Sequence, residues 1–161
     1  MIETERTRRA LELATKYHNG QTDKGGEPYI NHPIHVAEQM QDETTTIVAL
    51  LHDTLEDTKL TAGEIEREFG GIISKACQDL THRQNEPYMN YIERVSQNPI
   101  AREVKIADLR HNMDITRLSH VTEKDMIRRQ KYMKSLMVLG DMDEEERAAL
   151  TSMEEILILE Q

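Results

Sequence analysis

Apolar residues recur at helical spacing in block after block of this chain, and no stretch alternates apolar and β-branched residues as a strand would. That pattern points to an all-α architecture. Ala10, Leu11, Leu13, Ala14 and Tyr17 mark a first helix over roughly 4 to 18, which breaks at "NGQTDKGGEP", a loop with three glycines and a proline. "NHPIHVAEQM" restarts a helix with Pro33 in its first turn, where the missing N–H costs nothing. Asp42 is placed to cap a helix over roughly 44 to 57, and "TAGE", Thr61 to Glu64, is a capping-box pattern for a short helix ended by Gly70 and Gly71. Further helices are predicted at about 72 to 81, 87 to 96, 100 to 117, 123 to 139 and 144 to 159. Pro99 stands in the first turn of the third of these, and Thr122 and Asp143 are N-caps for the last two. The expectation is a single all-α domain over 1–161 with about eight or nine helices.

A chain of 161 residues is long enough to bury a core without disulfides or a structural metal. Its one cysteine, Cys77 in "GIISKACQDL", excludes an internal disulfide, reads as a buried small residue and fits a reducing compartment. No apolar run approaches about 18 residues and no basic-then-apolar leader opens the chain, so neither a membrane span nor a secretory signal is expected and the location is read as cytoplasmic. Twenty basic against 30 acidic residues give a net charge of −10, which disfavours a nucleic-acid polymer as partner. A small anionic ligand needs only a local basic pocket or a cation.

"VALLHDTLEDT", Val48 to Thr58, sets four ionisable side chains into an apolar helix pattern. On a continuous helix His52 lies under Glu56 and Asp53 under Asp57, a polar strip in a surface where Val48, Leu50, Leu51 and Leu55 pack. Glu56 and Asp57 alone fit a solvated outer face. His52 and Asp53 follow "IVALL" directly, and burying a carboxylate beside a histidine is costly unless a metal or a hydrogen-bond network compensates. A metal is the economical explanation and calls for further ligands. His32, in "INHP", stands at a helix start; Asp108, in "VKIADLRHNM", has Asn112 one turn on along the same face. Singly, His32 also fits a capping or core histidine and Asp108 a surface carboxylate. Together with His52 and Asp53 they supply two imidazoles and two carboxylates, a set suited to Mn²⁺, Fe²⁺ or Zn²⁺.

The order H…HD…D resembles the HD superfamily of metal-dependent phosphohydrolases. "GQTDKGGEPYINHPIHVA", "ALLHDTLEDT", "EIEREFG" and "KIADLRHNM" resemble, in order, segments of the RelA/SpoT-type alarmone hydrolase domain, with the small free-standing alarmone hydrolases the nearest match. The resemblance covers about residues 10 to 118. It implies an HD-domain helical bundle in which His32, His52, Asp53 and Asp108 hold one Mn²⁺, Glu56 and Asp57 orient or deprotonate the attacking water, and Lys24 and Asn112 line the nucleotide pocket. The implied reaction removes the 3′-pyrophosphate from guanosine tetra- or pentaphosphate. No synthetase-like region follows, so the chain is expected to degrade the alarmone without making it.

Lys24, Lys105, Arg110 and Arg83 are the cations expected to offset the substrate's charge. His18, His35, His82, His111 and His120 match no ligand role, with a structural hydrogen bond expected for His111. "YMKSLMVLGDM" reads as core filling, and Ala148, Leu150, Ile156, Leu157 and Leu159 are expected to pack on the domain. Where the family carries a basic pair, commonly Arg-Lys, this chain has Asp23-Lys24, which is expected to weaken the contact with guanine. Two other readings remain: an HD phosphohydrolase for a different phosphorylated nucleotide or dinucleotide, and a nucleotide-binding module that has lost turnover.

Overall fold

The computed structural model describes residues 1–114 and 122–159. Among the described residues ten helices follow one another: α1 (Glu5–Tyr17), α2 (Asn31–Glu38), α3 (Glu43–Leu51), α4 (Thr54–Asp57), α5 (Ala62–Phe69), α6 (Gly71–Asp79), α7 (Tyr88–Ser96), α8 (Pro99–Asn112), α9 (Glu123–Leu139) and α10 (Glu144–Leu159). Among the described residues the only β pairing is one isolated bridge, Thr22 to Pro28, which closes the loop between α1 and α2. The chain is all-α, as its periodicity requires.

Helix starts fall where side-chain acceptors stand. The Asp42 carboxylate accepts from the Thr45 N–H at 2.8 Å, Thr61 and Glu64 form the expected capping box, and Thr122 forms another with Asp125. Asp143 accepts from the Glu146 N–H at 2.7 Å, and Asn98 caps α8 with Pro99 at its first position.

At the centre lies α3, in which every residue from Thr45 to Leu51 is buried, with α1, α2, α6 and α8 packed around it. A helix apolar on all sides is stable only when enclosed. The enclosure carries whatever ends α3 into the interior.

The helix expected over 44 to 57 is in fact broken. α3 ends at Leu51, His52 and Asp53 form a turn, and α4 begins at Thr54. Two side chains cause the break by capturing carbonyls at the helix end: His52 Nδ1 donates to the Ala49 carbonyl at 2.6 Å, and the Thr54 hydroxyl donates to that of Leu51 at 2.7 Å. Asp53 closes the turn at φ −102°, ψ −1°, while Asp57 N–H still reaches the Asp53 carbonyl at 3.0 Å. Similarly, α8 stops at Asn112 with Met113 as its cap, short of the expected 117, and 115–117 lie outside the described residues.

α9 fills the core with Met133, Leu136 and Leu139, and Met142 follows it inside, whereas Met137 is exposed. α10 packs chiefly on α9, and of its expected inward residues whose side chains are described only Leu150 is buried; Met153 packs partly beside it. Ala148 is exposed and Ile156 is 56% exposed, because packing chiefly against one helix covers only a narrow stripe. The side chains of Leu157 and Leu159 lie outside the described residues, as does His120. No helix among the described residues is long and apolar enough to cross a membrane.

Cys77 is fully buried in α6, and burial pushes its thiol up to about 12. Native protein should therefore resist iodoacetamide at neutral pH and react once unfolded, as read by mass spectrometry. Thr54→Val, which leaves the Leu51 carbonyl without its donor, should cost about 1–3 kcal/mol in denaturant unfolding.

Candidate active site

His52 and Asp53 sit where α3 ends, inside the ring of helices. α2 brings His32 to the same place through its first turn, and α8, packed on both α2 and α3, brings Asp108. His32, His52 and Asp108 are all buried. Ligand atoms of His32, His52 and Asp53 lie within 4.8 Å of one another. Asp108 Oδ1 adjoins them, 2.8 Å from His32 Nε2 and 3.4 Å from His52 Nε2. The four residues picked from the sequence therefore meet, although 76 positions separate His32 from Asp108.

The two rings are held so that their Nε2 atoms face the carboxylates. A carbonyl only accepts, so the bond to Ala49 fixes the proton of His52 on Nδ1 and leaves Nε2 as a lone pair in the neutral ring. Nε2 has no hydrogen-bond partner, although Asp53 Oδ2 stands 3.1 Å away. A lone pair facing two carboxylates is repelled unless a positive charge lies between them. Burial opposes charge on the ring, yet Asp53 and Asp108 outweigh it and hold His52 well above the ordinary histidine range. Against their own burial, the His52 charge holds Asp53 down to about 2, and Lys105 with His32 holds Asp108 well below the usual carboxylate range. A proton on His52 and a metal ion are alternative answers to one electrostatic demand.

The spacing suits a metal. Atoms about 2.1 Å from a small divalent ion are about 3.0 Å apart at neighbouring octahedral corners and about 3.4 Å apart at tetrahedral ones. The observed separations run from 2.8 to 4.0 Å. His32 Nδ1 pairs with His111 Nδ1 at 2.6 Å, and the tautomer that donates from His32 leaves its Nε2 ready to ligate. That contact is the structural hydrogen bond expected of His111, whose ring also stacks on His35 at 3.9 Å between centroids.

Glu56 and Asp57 stand on α4 beside this group, exposed to solvent but partly desolvated by the surrounding chain. Burial raises the Glu56 carboxyl, although the His82 backbone N–H, donating to Oε1 at 2.9 Å, works the other way. Burial and the Asp53 charge raise Asp57, whose carbonyl accepts from Gln21 Nε2 at 3.0 Å. Carboxylates made more basic by their surroundings are suited to accept protons.

Of the expected pocket residues, Asn112 donates to Asp108 Oδ1 at 3.1 Å. Lys24 is exposed, with Nζ 3.8 Å from Asp125 at the start of α9. Lys105 bonds Asp108 Oδ2 at 2.8 Å and lies over the Tyr91 ring. Arg110 turns away to Asp141 and Glu146, and Arg83 is exposed with its backbone N–H on Glu86. One oxygen of Asp23, Oδ1, accepts from the N–H groups of Gly25 at 2.8 Å and Glu27 at 3.0 Å, which folds the loop.

Sequence reasoning passed over two residues. The Tyr29 hydroxyl donates to Asp53 Oδ2, and its position in "EPYINHP", one turn before His32, was the available signal. Lys131, whose ammonium lies 4.3 Å over the Tyr88 ring, comes from α9, more than 70 residues from the motif, with no local signal. Burial, Arg128 and Lys105 lower its pKa, so it stands in a group of cations.

An enclosed helical bundle with two histidines and two aspartates at the end of its central helix defines a class of metal-binding α-helical domains. Residues 10–121 match the HD domain family, and the chain belongs to it. It is 37% identical over 121 residues to guanosine-3′,5′-bis(diphosphate) 3′-pyrophosphohydrolase of Aquifex aeolicus, covering 68% of this chain and 17% of that protein. The bifunctional (p)ppGpp synthase/hydrolase SpoT of Escherichia coli is 35% identical over 123 residues, 67% of this chain and 18% of that one. A GTP pyrophosphokinase of Streptomyces coelicolor is 33% identical over 118 residues, 65% and 14% of the two chains. The chain thus spans less than a fifth of these relatives. Among solved structures, a metazoan ortholog of SpoT that hydrolyzes ppGpp superposes with a TM-score of 0.73, covering 94% of this chain and 95% of its own at 21% identity, a likeness of fold.

Tyr29→Phe removes the donor on Asp53 while keeping the ring. It should weaken metal binding about tenfold, measured by competition with a chromophoric chelator. Unchanged affinity would take Tyr29 out of the support of the site.

Proposed function

We propose that this protein is a metal-dependent phosphohydrolase that removes the 3′-pyrophosphate of guanosine tetra- and pentaphosphate, acting as one HD domain over 1–161 in the cytoplasm. The observation that carries this reading is the convergence of His32, His52, Asp53 and Asp108 with the orphaned Nε2 of His52 at its centre, flanked by two carboxylates of raised basicity. The names of the relatives divide between hydrolase and pyrophosphokinase. A cluster of ligands beside proton acceptors suits hydrolysis.

His32, His52, Asp53 and Asp108 would hold one divalent ion, Mn²⁺ by the balance of imidazole and carboxylate. When bound, such an ion lowers the pKa of water and offsets charge building on phosphoryl oxygens. Glu56 and Asp57 accept the proton of the attacking water and aim it. Water adds to the phosphorus next to the ribose 3′ oxygen, that P–O bond breaks, the 3′ oxygen gains a proton, and pyrophosphate leaves with GDP or GTP as co-product. Lys105 and Lys131 supply positive charge beside the phosphates, Asn112 steadies Asp108, and Lys24 meets the nucleotide from the loop. The ligand is a small anionic nucleotide; a net charge of −10 speaks against a polymer, and nothing in the helices calls for a membrane.

Metal-stripped protein should be inactive on guanosine tetraphosphate and recover best with Mn²⁺, at about one ion per chain. Asp53→Ala and His52→Ala should lose metal and turnover together, as titrated by elemental analysis beside product assay. Glu56→Gln and Asp57→Asn should retain the ion and lose about 10²-fold in turnover. Near-normal rates in both would return those side chains to a solvated face.

Position 23 bears on base choice. A guanidinium stacked on a purine contributes roughly 0.5–2 kcal/mol. Asp23 has no such group, and one of its carboxylate oxygens is held by the loop backbone. The adenine counterpart should therefore be turned over within about thirtyfold of the guanine alarmone in a parallel assay. A much larger preference would place the base contact elsewhere.

A further inference from the structure

Arg94, on α7, is a largely buried cation committed to one short turn. Its guanidinium grips both oxygens of Glu86, Nε to Oε2 at 3.1 Å and Nη2 to Oε1 at 2.9 Å. It also donates to two backbone carbonyls at 2.9 Å each, Asp79 from Nη1 and Thr81 from Nη2. The Tyr91 hydroxyl, one turn earlier on α7, takes the Leu80 carbonyl at 2.7 Å. The His82 ring stacks on Tyr91 and donates from Nε2 to the Glu86 carbonyl at 2.6 Å. Asn85 is held at φ +62°, a left-handed conformation that asparagine tolerates better than most residues.

This is a large investment of buried hydrogen bonds in the residues between α6 and α7. Nearly every group they fix points back into the turn or onto α7. One does not: the His82 backbone N–H points across to Glu56 Oε1 at 2.9 Å. A glutamate has three side-chain torsions and, exposed without a partner, would sample several rotamers. A rigid N–H selects the one in which Oε1 is engaged and the second oxygen is left to act on water.

We propose that the 80–87 turn is a clamp that aims Glu56, and that Arg94 is the positioning residue that keeps the clamp in shape. The proposal rests on the role given to Glu56 above and extends it to a side chain that touches neither substrate nor metal. Arg94→Lys keeps the charge but loses the fork that spans Glu86 and two carbonyls. Glu86→Gln is the milder variant, since one carbonyl oxygen still accepts.

Full-length protein with Mn²⁺ is assayed on guanosine tetraphosphate, with metal content and melting temperature measured alongside. Arg94→Lys should lower kcat about tenfold and Glu86→Gln about threefold, with KM and metal content unchanged. In a Glu56→Gln background each should cost less than about twofold more, because the group being aimed is already gone. A general loss of structure would instead add to the Glu56→Gln defect in full. Additive effects, or wild-type kcat in both variants, overturn the clamp and leave the hydrolase reading standing. If Arg94→Lys does not fold, the same cycle with Glu86→Gln decides. A wild-type protein inert toward the alarmone would sink the hydrolase reading and this inference with it.

Discussion

The site depends on one hydrogen bond, from His52 Nδ1 to the Ala49 carbonyl. It does three things at once. It takes a carbonyl that a continuing helix would need, so α3 ends at Leu51 and the chain turns through Asp53. The bond also fixes the tautomer, because a carbonyl can only accept. And it directs Nε2 toward Asp53 and Asp108. Since α3 is enclosed on all sides, these consequences take place in the interior, where an unmatched charge is expensive.

The charge around that point does not balance. Asp53 and Asp108 bring two carboxylates into a buried space where Lys105 is the permanent cation in contact. Burial opposes the Lys105 charge, but Asp108 outweighs it and keeps the ammonium well above its ordinary range. One further positive charge is still demanded. Buried ionic clusters of this kind are poor sources of stability compared with apolar packing of the same volume. Such a cluster makes physical sense when a cation completes it, and the four histidine–carboxylate separations, 2.8 to 4.0 Å, bracket the spacing of ligand atoms about a small ion.

Around this core the acidic chain keeps its positive charge local. Lys105 and Lys131 come from α8 and α9 and lie over the ring faces of Tyr91 and Tyr88, Lys105 pairing with Asp108 as well. Arg110, also on α8, is neutralised by Asp141 and Glu146. A shared fold does not choose the reaction, as the differing names of the relatives show. That choice falls to the side chains around the four facing residues, and here they include two carboxylates, Glu56 and Asp57, whose basicity is raised.

All-α architecture, most helix starts and the four facing residues were legible in the sequence because they rest on local physics. Apolar spacing reports helices, Asp42, Thr61, Thr122 and Asp143 report their starts, and a histidine-aspartate pair after "IVALL" is too costly to bury unassisted. The break at His52 was not legible, since helical propensity runs through "LLHDTLED" and only the competition of side chains for the Ala49 and Leu51 carbonyls ends it. Nor were the contacts of Tyr29 and Lys131, the turn held by Arg94, or the two loop N–H groups gathered by Asp23 Oδ1. Ala148 and Ile156 followed the apolar pattern and are nonetheless exposed, because periodicity reports which face of a helix is apolar and not how wide a face its neighbour will cover. Sequence by itself determined which residues are suited to meet; the tertiary structure decided how they are oriented. Orientation depends on partners dozens of residues away, and no local pattern encodes a hydrogen bond across that distance.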